Sequence, residues 1–261
     1  METTILTQQN VREQYKSSSN LETRISLHEK YSQNVNGFDN MIVTSYDFKP
    51  GAKVLEAGCG TGDFWIGRQD MIDACSEFIL ADFSEGMIAK SKENLAGMHG
   101  IEFMVCDIQN LPFEDDSFDV VIANMMLYHV PDLELALSEV KRVLKPGGTF
   151  YAATYGEKNV MPYVHELLRE YINAPRYNRH FMLENGWEPL RRHFSDVRLN
   201  KYTDNLLITD MNDLADYVQS LNGTSKICEV SRETMIKVFT ENCVDGVLTI
   251  PKEYGVFIGR A

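Results

Sequence analysis

The chain has 261 residues, 44% hydrophobic, 24% charged and 10% aromatic, and a formal charge of −13 from 25 Lys and Arg against 38 Asp and Glu. That is the composition of a globular chain long enough to bury a sizeable core, and it excludes disordered, collagen-like and coiled-coil classes. So acidic a surface repels phosphate backbones and anionic lipid, which argues against nucleic-acid and membrane-surface partners.

The first fifty residues are polar and helix-compatible, with apolar Leu21, Ile25, Leu27 and Tyr31, then Phe38, Met41 and Ile42. One or two amphipathic helices are expected there as an N-terminal cap. Lys49-Pro50-Gly51 is a turn signal, after which short apolar runs alternate with helical patterns. Strands are expected over Lys53 to Gly58, Glu77 to Phe83, Ile101 to Asp107, Phe118 to Met126 and Thr149 to Tyr155. The first four are short and apolar on both faces, as strands between helix layers should be. Helices are expected over Asp63 to Cys75, Ser84 to Met98 with Ser84 as N-cap, and Leu133 to Leu144, the last stopped by Lys145-Pro146-Gly147-Gly148. Such alternation means βαβ units and a doubly wound parallel sheet, an α/β fold.

Beyond Gly156 the pattern weakens. Met161 to Ile172 reads as a helix, and 174–190 is rich in aromatic and basic residues. Val197 to Ile208 and Tyr254 to Arg260 read as two last strands, with helices over Asp210 to Ser220 and Ser231 to Glu241 and a break at Asn222-Gly223. Cys59, Cys75, Cys106, Cys228 and Cys243 are scattered without C-x-x-C spacing, so neither a disulfide framework nor a thiolate zinc site is expected. No H-x-x-x-H pair occurs, so no metal is expected. The opening METTILTQQN lacks the regions of a signal peptide, and the apolar stretch from Val120 to Val130 is too short and interrupted to span a bilayer. A soluble, reduced, cytoplasmic protein is the expectation. Nothing in the sequence sets its oligomeric state.

The segment V-L-E-A-G-C-G-T-G-D, Val54 to Asp63, runs a strand into Gly58-x-Gly60-x-Gly62 and then into a helical pattern. Glycines there let the backbone turn sharply and approach a ligand closely. A dinucleotide fingerprint needs G-x-G-x-x-G/A, but the third position falls on Asp63 or Trp65, so NAD and FAD are disfavoured. Asp82 closes the next strand, where a carboxylate can accept from both ribose hydroxyls. Asp107 ends the third strand and Asn124 lies near the end of the fourth. Polar residues at successive carboxyl ends, beside a glycine loop, mark the edge where open α/β sheets bind ligands.

E-A-G-C-G-T-G, A-D-F-S-E-G-M (Ala81 to Met87), C-D-I-Q-N-L-P-F-E-D-D-S-F-D-V-V (Cys106 to Val121), L-Y-H-V-P-D and V-L-K-P-G-G together resemble class I S-adenosylmethionine-dependent methyltransferases. The branch they resemble most holds the quinone-biosynthesis C-methyltransferases and other small-molecule enzymes. The resemblance covers about Lys53 to Tyr155 and implies a Rossmann-like, mostly parallel seven-stranded sheet with an antiparallel last strand. It implies one domain over 1–261: a helical cap at 1–50, a cofactor-binding core at 51–156, a helical acceptor-side insertion at 157–195 before the last two strands, and terminal strands and helices at 196–261.

The cofactor implied is S-adenosylmethionine. Glu56, Ala57, Gly58 and Gly60 are expected around its methionine moiety, Asp82 on the ribose, and Phe83 and Met87 against the adenine. Asp107 and the Ile108 N–H are expected on the adenine edge, with Asn124 and Met125 as a floor beneath the sulfonium. An acidic surrounding suits a cationic sulfonium. His129 follows the fourth strand where the methyl should point, and is the candidate general base for an alcohol, phenol or acidic carbon. Tyr31, Tyr128 and Tyr155 are candidate substrate contacts, and His28 with Tyr31 could close over the cofactor. Arg176, Arg179, Arg191, Arg192 and His193 form a basic concentration that is either an anion site or a surface patch offsetting acidic neighbours.

The reaction expected is direct methyl transfer to an N, O, S or C nucleophile of a small molecule, for which alignment and water exclusion suffice. A nucleic-acid or protein methyltransferase shares this fold, but Asn124-Met125-Met126-Leu127 is not the N/D-P-P-Y/F element and the charge opposes it. A cofactor-binding regulatory module without turnover is the alternative from a different class.

Overall fold

The computed structural model describes residues 19–34, 36–172, 180–221 and 226–261. Among the described residues the cap holds α1 (Ser19–Tyr31) and α2 (Phe38–Ser45). The sheet that follows is built from β1 (Lys53–Ala57), β2 (Glu77–Asp82), β3 (Glu102–Val105), β4 (Phe118–Asn124), β5 (Leu144–Tyr155), β6 (Ser195–Ile208) and β7 (Leu248–Arg260). Its order is β3-β2-β1-β4-β5-β7-β6, with β7 antiparallel to both neighbours and the first five strands mutually parallel. This is the doubly wound, seven-stranded sheet expected from the sequence. The parallel strands are buried on both faces in the middle, but β3 is an edge strand and half exposed along its length, so the expectation of full burial fails there.

Helices α3 (Gln69–Asp73), α4 (Glu85–Asn94), α5 (Leu133–Val143), α6 (Val160–Leu167), α7 (Trp187–His193), α8 (Met211–Gln219) and α9 (Arg232–Glu241) cover the sheet and its last hairpin. In α5, Leu133, Ala136, Leu137, Val140 and Val143 are buried at helical spacing, and Asp132 caps the first turn by accepting from the Leu135 N–H at 2.9 Å. Ser84 caps α4 as expected, accepting from the Met87 N–H at 3.4 Å. Two corrections follow from local chemistry. The helix expected from Asp63 to Cys75 is a short 3₁₀ turn, Asp63–Trp65, then a break and α3; Gly67 at φ +76° sits in the break. The last strand begins at Leu248 rather than Tyr254, because Pro251 and the charged pair after it disguise a run that pairs only with β6.

Among the described residues apolar side chains gather in three clusters. One lies on the sheet face under α5 and α7, and one on the opposite face under α2 and α3. The third joins α1, α6, α8 and α9 to the ends of β6 and β7. That third cluster exists because Leu248 to Glu253 of β7 pair with β6 alone, past the last residue of β5, so the hairpin overhangs the carboxyl edge of the parallel strands. No helix among the described residues is long and apolar enough to cross a membrane.

Candidate active site

β1, β2 and β4 are adjacent and parallel, so their carboxyl ends bring Ala57, Asp82 and Asn124 to one edge. Between β1 and α3 the loop is strapped to β2: the Gly58 and Cys59 N–H groups donate to the Ala81 carbonyl at 2.7 and 2.9 Å. Gly58, Gly60 and Gly62 have φ of +78°, +57° and +73°, a region that side-chained residues rarely adopt. A Cβ at Gly58 would stand 2.7 Å from Met126 Cγ, whereas at Gly60 it would meet nothing within 4 Å. Gly58 is therefore closed in by protein, while Gly60 leaves open space.

Asp82 is 7% exposed and binds the loop from below, its Oδ2 accepting from the Gly60 N–H at 3.1 Å and its Oδ1 from the Ser84 N–H at 2.9 Å. Burial pushes its carboxyl above the usual range, against the pull of those N–H donors. Phe83 is half-buried beside it, and Met87 and Ile108 are buried. Asp107 accepts from Gln109 through both oxygens, at 2.9 to 3.1 Å, so its carboxylate is held by the next turn.

Glu56 is the buried carboxylate of the edge, 2% exposed. Its Oε2 accepts from the Trp65 indole N–H, and its Oε1 from Asn124 Nδ2 at 2.9 Å. Asn124 Nδ2 also donates to the Tyr46 hydroxyl at 2.8 Å. Burial lifts Glu56 to about 7, with the Trp65 and Asn124 donors opposing and the Asp82 charge adding. Asn124 Oδ1 is buried with no hydrogen-bond partner. Trp65 and Tyr46 were missed by sequence reasoning. Trp65 counted only as a bulky residue against a dinucleotide, and no spacing rule connects Tyr46 to a strand end 78 residues away. Met125 follows Asn124 at φ +53°, its N–H donating to the Ala153 carbonyl at 3.0 Å.

His129 ends a 3₁₀ turn, Leu127–His129, directly after β4. Its ring centroid is 4.5 Å from that of Tyr128, and the Tyr128 ring is 4.8 Å from Tyr155 at the end of β5. These three sequence-derived candidates are thus brought together. Burial, helped by the Arg24 charge, holds the His129 imidazole down at about 3, so it is neutral at ordinary pH. Tyr31 is not brought with them: it is 4% exposed, lies in the third apolar cluster, and donates to Asp213 of α8 at 2.6 Å. That position sets it on the inward face of an amphipathic helix, apart from Tyr128 and Tyr155.

Arg192 and His193 pair with Glu134 of α5, and Arg191 stacks on Trp187 at 4.7 Å, so this basic group is a set of surface pairs. Arg176 and Arg179 lie outside the described residues. Burial raises the thiols of Cys59 and Cys106, the latter to about 11, which keeps them unreactive. Among the described residues no cluster of His, Cys, Asp and Glu could hold a metal ion.

A family model described as a methyltransferase domain matches residues 48–192. Demethylmenaquinone methyltransferases of Staphylococcus aureus and Staphylococcus haemolyticus are 40% and 42% identical over 107 residues, 41% of this chain and 44% and 45% of theirs. The chain thus matches less than half the length of these curated relatives. Among solved structures, the YcgJ protein of Bacillus subtilis superposes with a TM-score of 0.62 at 20% identity, covering 85% of this chain and 97% of that one. A phosphoethanolamine N-methyltransferase of Haemonchus contortus, in complex with S-adenosyl-L-methionine, superposes at 0.58 with 17% identity, over 94% of this chain and 57% of that one. A glycine loop tied to a strand-end aspartate, on this sheet and within this family match, leads to one conclusion: the chain belongs to the class I S-adenosylmethionine-dependent methyltransferases.

Proposed function

We propose that the chain transfers the methyl group of S-adenosylmethionine to a nucleophilic atom of a small molecule, with Glu56, Asp82 and Asn124 as its principal cofactor contacts. The residues present fit that group. Asn124 Oδ1 is a buried acceptor lacking a donor, which the methionine ammonium would supply, and Gly60 leaves the space a ligand would need. Glu56 beside it would become a carboxylate facing the same positive charge. Asp82 would hold the ribose hydroxyls, Phe83 and Met87 would flank the adenine, and Asp107 with the Ile108 N–H would meet its edge. Ala57, Gly58 and Met125 would complete the wall with backbone. Bound S-adenosylmethionine supplies a methyl carbon whose bond to sulfur breaks, sulfur keeping the electron pair, as the acceptor's lone pair bonds to carbon.

The chain's own task is then alignment and exclusion of water. Tyr128 and Tyr155 would supply an aromatic wall at the edge; His129 lies beside them, but an imidazole held at about 3 is a weak base, so the reading favours an acceptor that needs no proton removed by it. The observation that carries the reading is the coupled pair of strand ends, Glu56 and Asn124, with its one unmet acceptor. The −13 charge supports a small acceptor over a nucleic acid.

Calorimetry with S-adenosylmethionine and S-adenosylhomocysteine tests it. Binding is expected, and Asp82→Ala should weaken it about tenfold or more, since a buried N–H is left without its acceptor along with the ribose. Binding unchanged by that substitution would remove Asp82 from the site. Transfer to a metabolite panel that includes demethylmenaquinol distinguishes an enzyme from a module that binds without turnover.

A further inference from the structure

α1 carries Arg24 and, one turn on, His28, which share a helix face. The His28 ring stands edge-on to Tyr217 of α8 and to Tyr254 of β7, each with centroids 6.1 Å apart. Its Nε2 is 3.4 Å from the Tyr254 hydroxyl, whereas Nδ1 is buried with no hydrogen-bond partner. Burial and the Lys252 charge hold the imidazole near 3, with Asp204 opposing, so one ring nitrogen carries a hydrogen and the other a lone pair. Either tautomer leaves Nδ1 without a partner, and with Nε2 donating to Tyr254 it is a bare acceptor, the state taken below; a buried unmet polar atom is uncommon in native proteins.

The location supplies the use. Tyr254 is registered opposite Tyr155, the last residue of β5, whose ring meets Tyr128 at the end of β4. The Arg24 charge bears on His129 from the same face of α1. His28 thus meets Tyr254, the neighbour of the last residue of β5, and the Arg24 charge bears on His129 after β4, on the side where the methyl acceptor is placed by the function proposed above, on which this inference rests.

We propose that His28 Nδ1 is a specificity-determining acceptor that takes a hydrogen bond from a hydroxyl of a neutral, phenol-class methyl acceptor seated against Tyr128 and Tyr155. A neutral donor matches a neutral imidazole whose charged neighbours, Lys252 and Asp204, already pair with one another at 3.5 Å. Nδ1 is shielded from water, so the acceptor would reach it only with α1 displaced.

The test uses full-length protein with nitrogen-15-labelled histidine, loaded with S-adenosylhomocysteine, and two probes: naphthol and its non-donating twin methoxynaphthalene. Naphthol should move the His28 Nδ1 resonance upfield and methoxynaphthalene should not. His28→Phe should cost naphthol about tenfold in affinity, leave methoxynaphthalene alike, and change S-adenosylhomocysteine affinity by less than about twofold. His28→Asn, whose amide oxygen falls near the Nδ1 position, should restore most of the loss. An unmoved resonance, equal naphthol affinity in His28→Phe, or no binding of either probe to the loaded protein overturns the assignment of His28. Failure of S-adenosylhomocysteine to bind overturns the methyltransferase site itself.

Discussion

Glu56 sets the pH response of the site. Free, its carboxyl is lifted to about 7 by burial, so near neutrality about half of the molecules carry a proton there. A cation bound alongside favours the carboxylate, so binding releases that proton and tightens as pH rises through 7. Lowering pH from about 8 to about 6 should weaken S-adenosylmethionine binding about tenfold more in the wild type than in Glu56→Gln, a comparison that cancels the ligand's own titration. Equal slopes in calorimetry would place the carboxylate away from the cation. At this scale the sequence placed Glu56, Asp82 and Asn124 at one sheet edge, where the structure has them, because parallel strands beside a glycine loop end at a common edge. It was silent on Trp65 and Tyr46, whose indole and phenol reach the carboxylate through turns that no spacing rule foretells.

At the scale of elements, a buried polar network ties the end of α1 to β6. Asp204 in β6 accepts from the Gln33 and Asn34 N–H groups at 3.0 and 2.9 Å, from Ser32, and from Tyr202 at 3.0 Å, while pairing with Lys252. The pair is nearly sealed from water, with side-chain exposures of 5% for Lys252 and 0% for Asp204. Removing one member of such a pair leaves a buried charge without its partner. Asp204→Ala should therefore cost about 3 kcal/mol or more, seen as a fall of roughly 6–12 °C in Tm. A change within about 1 °C would show that the pair and its donors are dispensable. The network joins residues far apart in the chain, so alternation and capping rules reveal β6 and α1 but not what binds them. Those same rules located α5 and α8 well, since both have apolar stripes and an Asp N-cap, and overran α3, where Trp65 turns inward and Gly67 breaks the helix.

For the molecule as a whole, the legible half and the illegible half coincide with the chemistry. The stretch matched by relatives holds the cofactor loop, where glycine conformations and strand-end carboxylates leave little freedom. The remainder is patterned for burial, and apolar periodicity says that a face is covered without saying by what. Two imidazoles distributed across the halves, His28 and His129, are both held at about 3 by burial. Each is neutral when folded and gains a proton on unfolding below about 6.5, so the native state loses stability as pH falls through that value. Glu56, whose carboxyl is raised to about 7 in the fold, contributes with the opposite sign over the same range, so the comparison that isolates an imidazole is wild type against His28→Phe. Between about pH 7 and about pH 5 the urea midpoint of His28→Phe should fall less than that of the wild type, and equal falls would mean that the His28 ring takes up its proton in the folded state.

The overhanging part of the β6–β7 hairpin has a consequence for how the acceptor side can diversify. Its strands answer to each other alone beyond Tyr254, so their alignment is inherited from the seven pairs that β7 makes with β5. Successive side chains in a ribbon point to opposite faces, and a shift of one position exchanges inside for outside. One residue gained or lost just before Tyr254 would therefore turn Lys252 outward and carry Ile250 with it, while the glycine loop three strands away kept every bond. The overhang and the glycine loop are in this way mechanically separable, so on the function proposed above a single-codon slip could alter the acceptor side without touching the cofactor side.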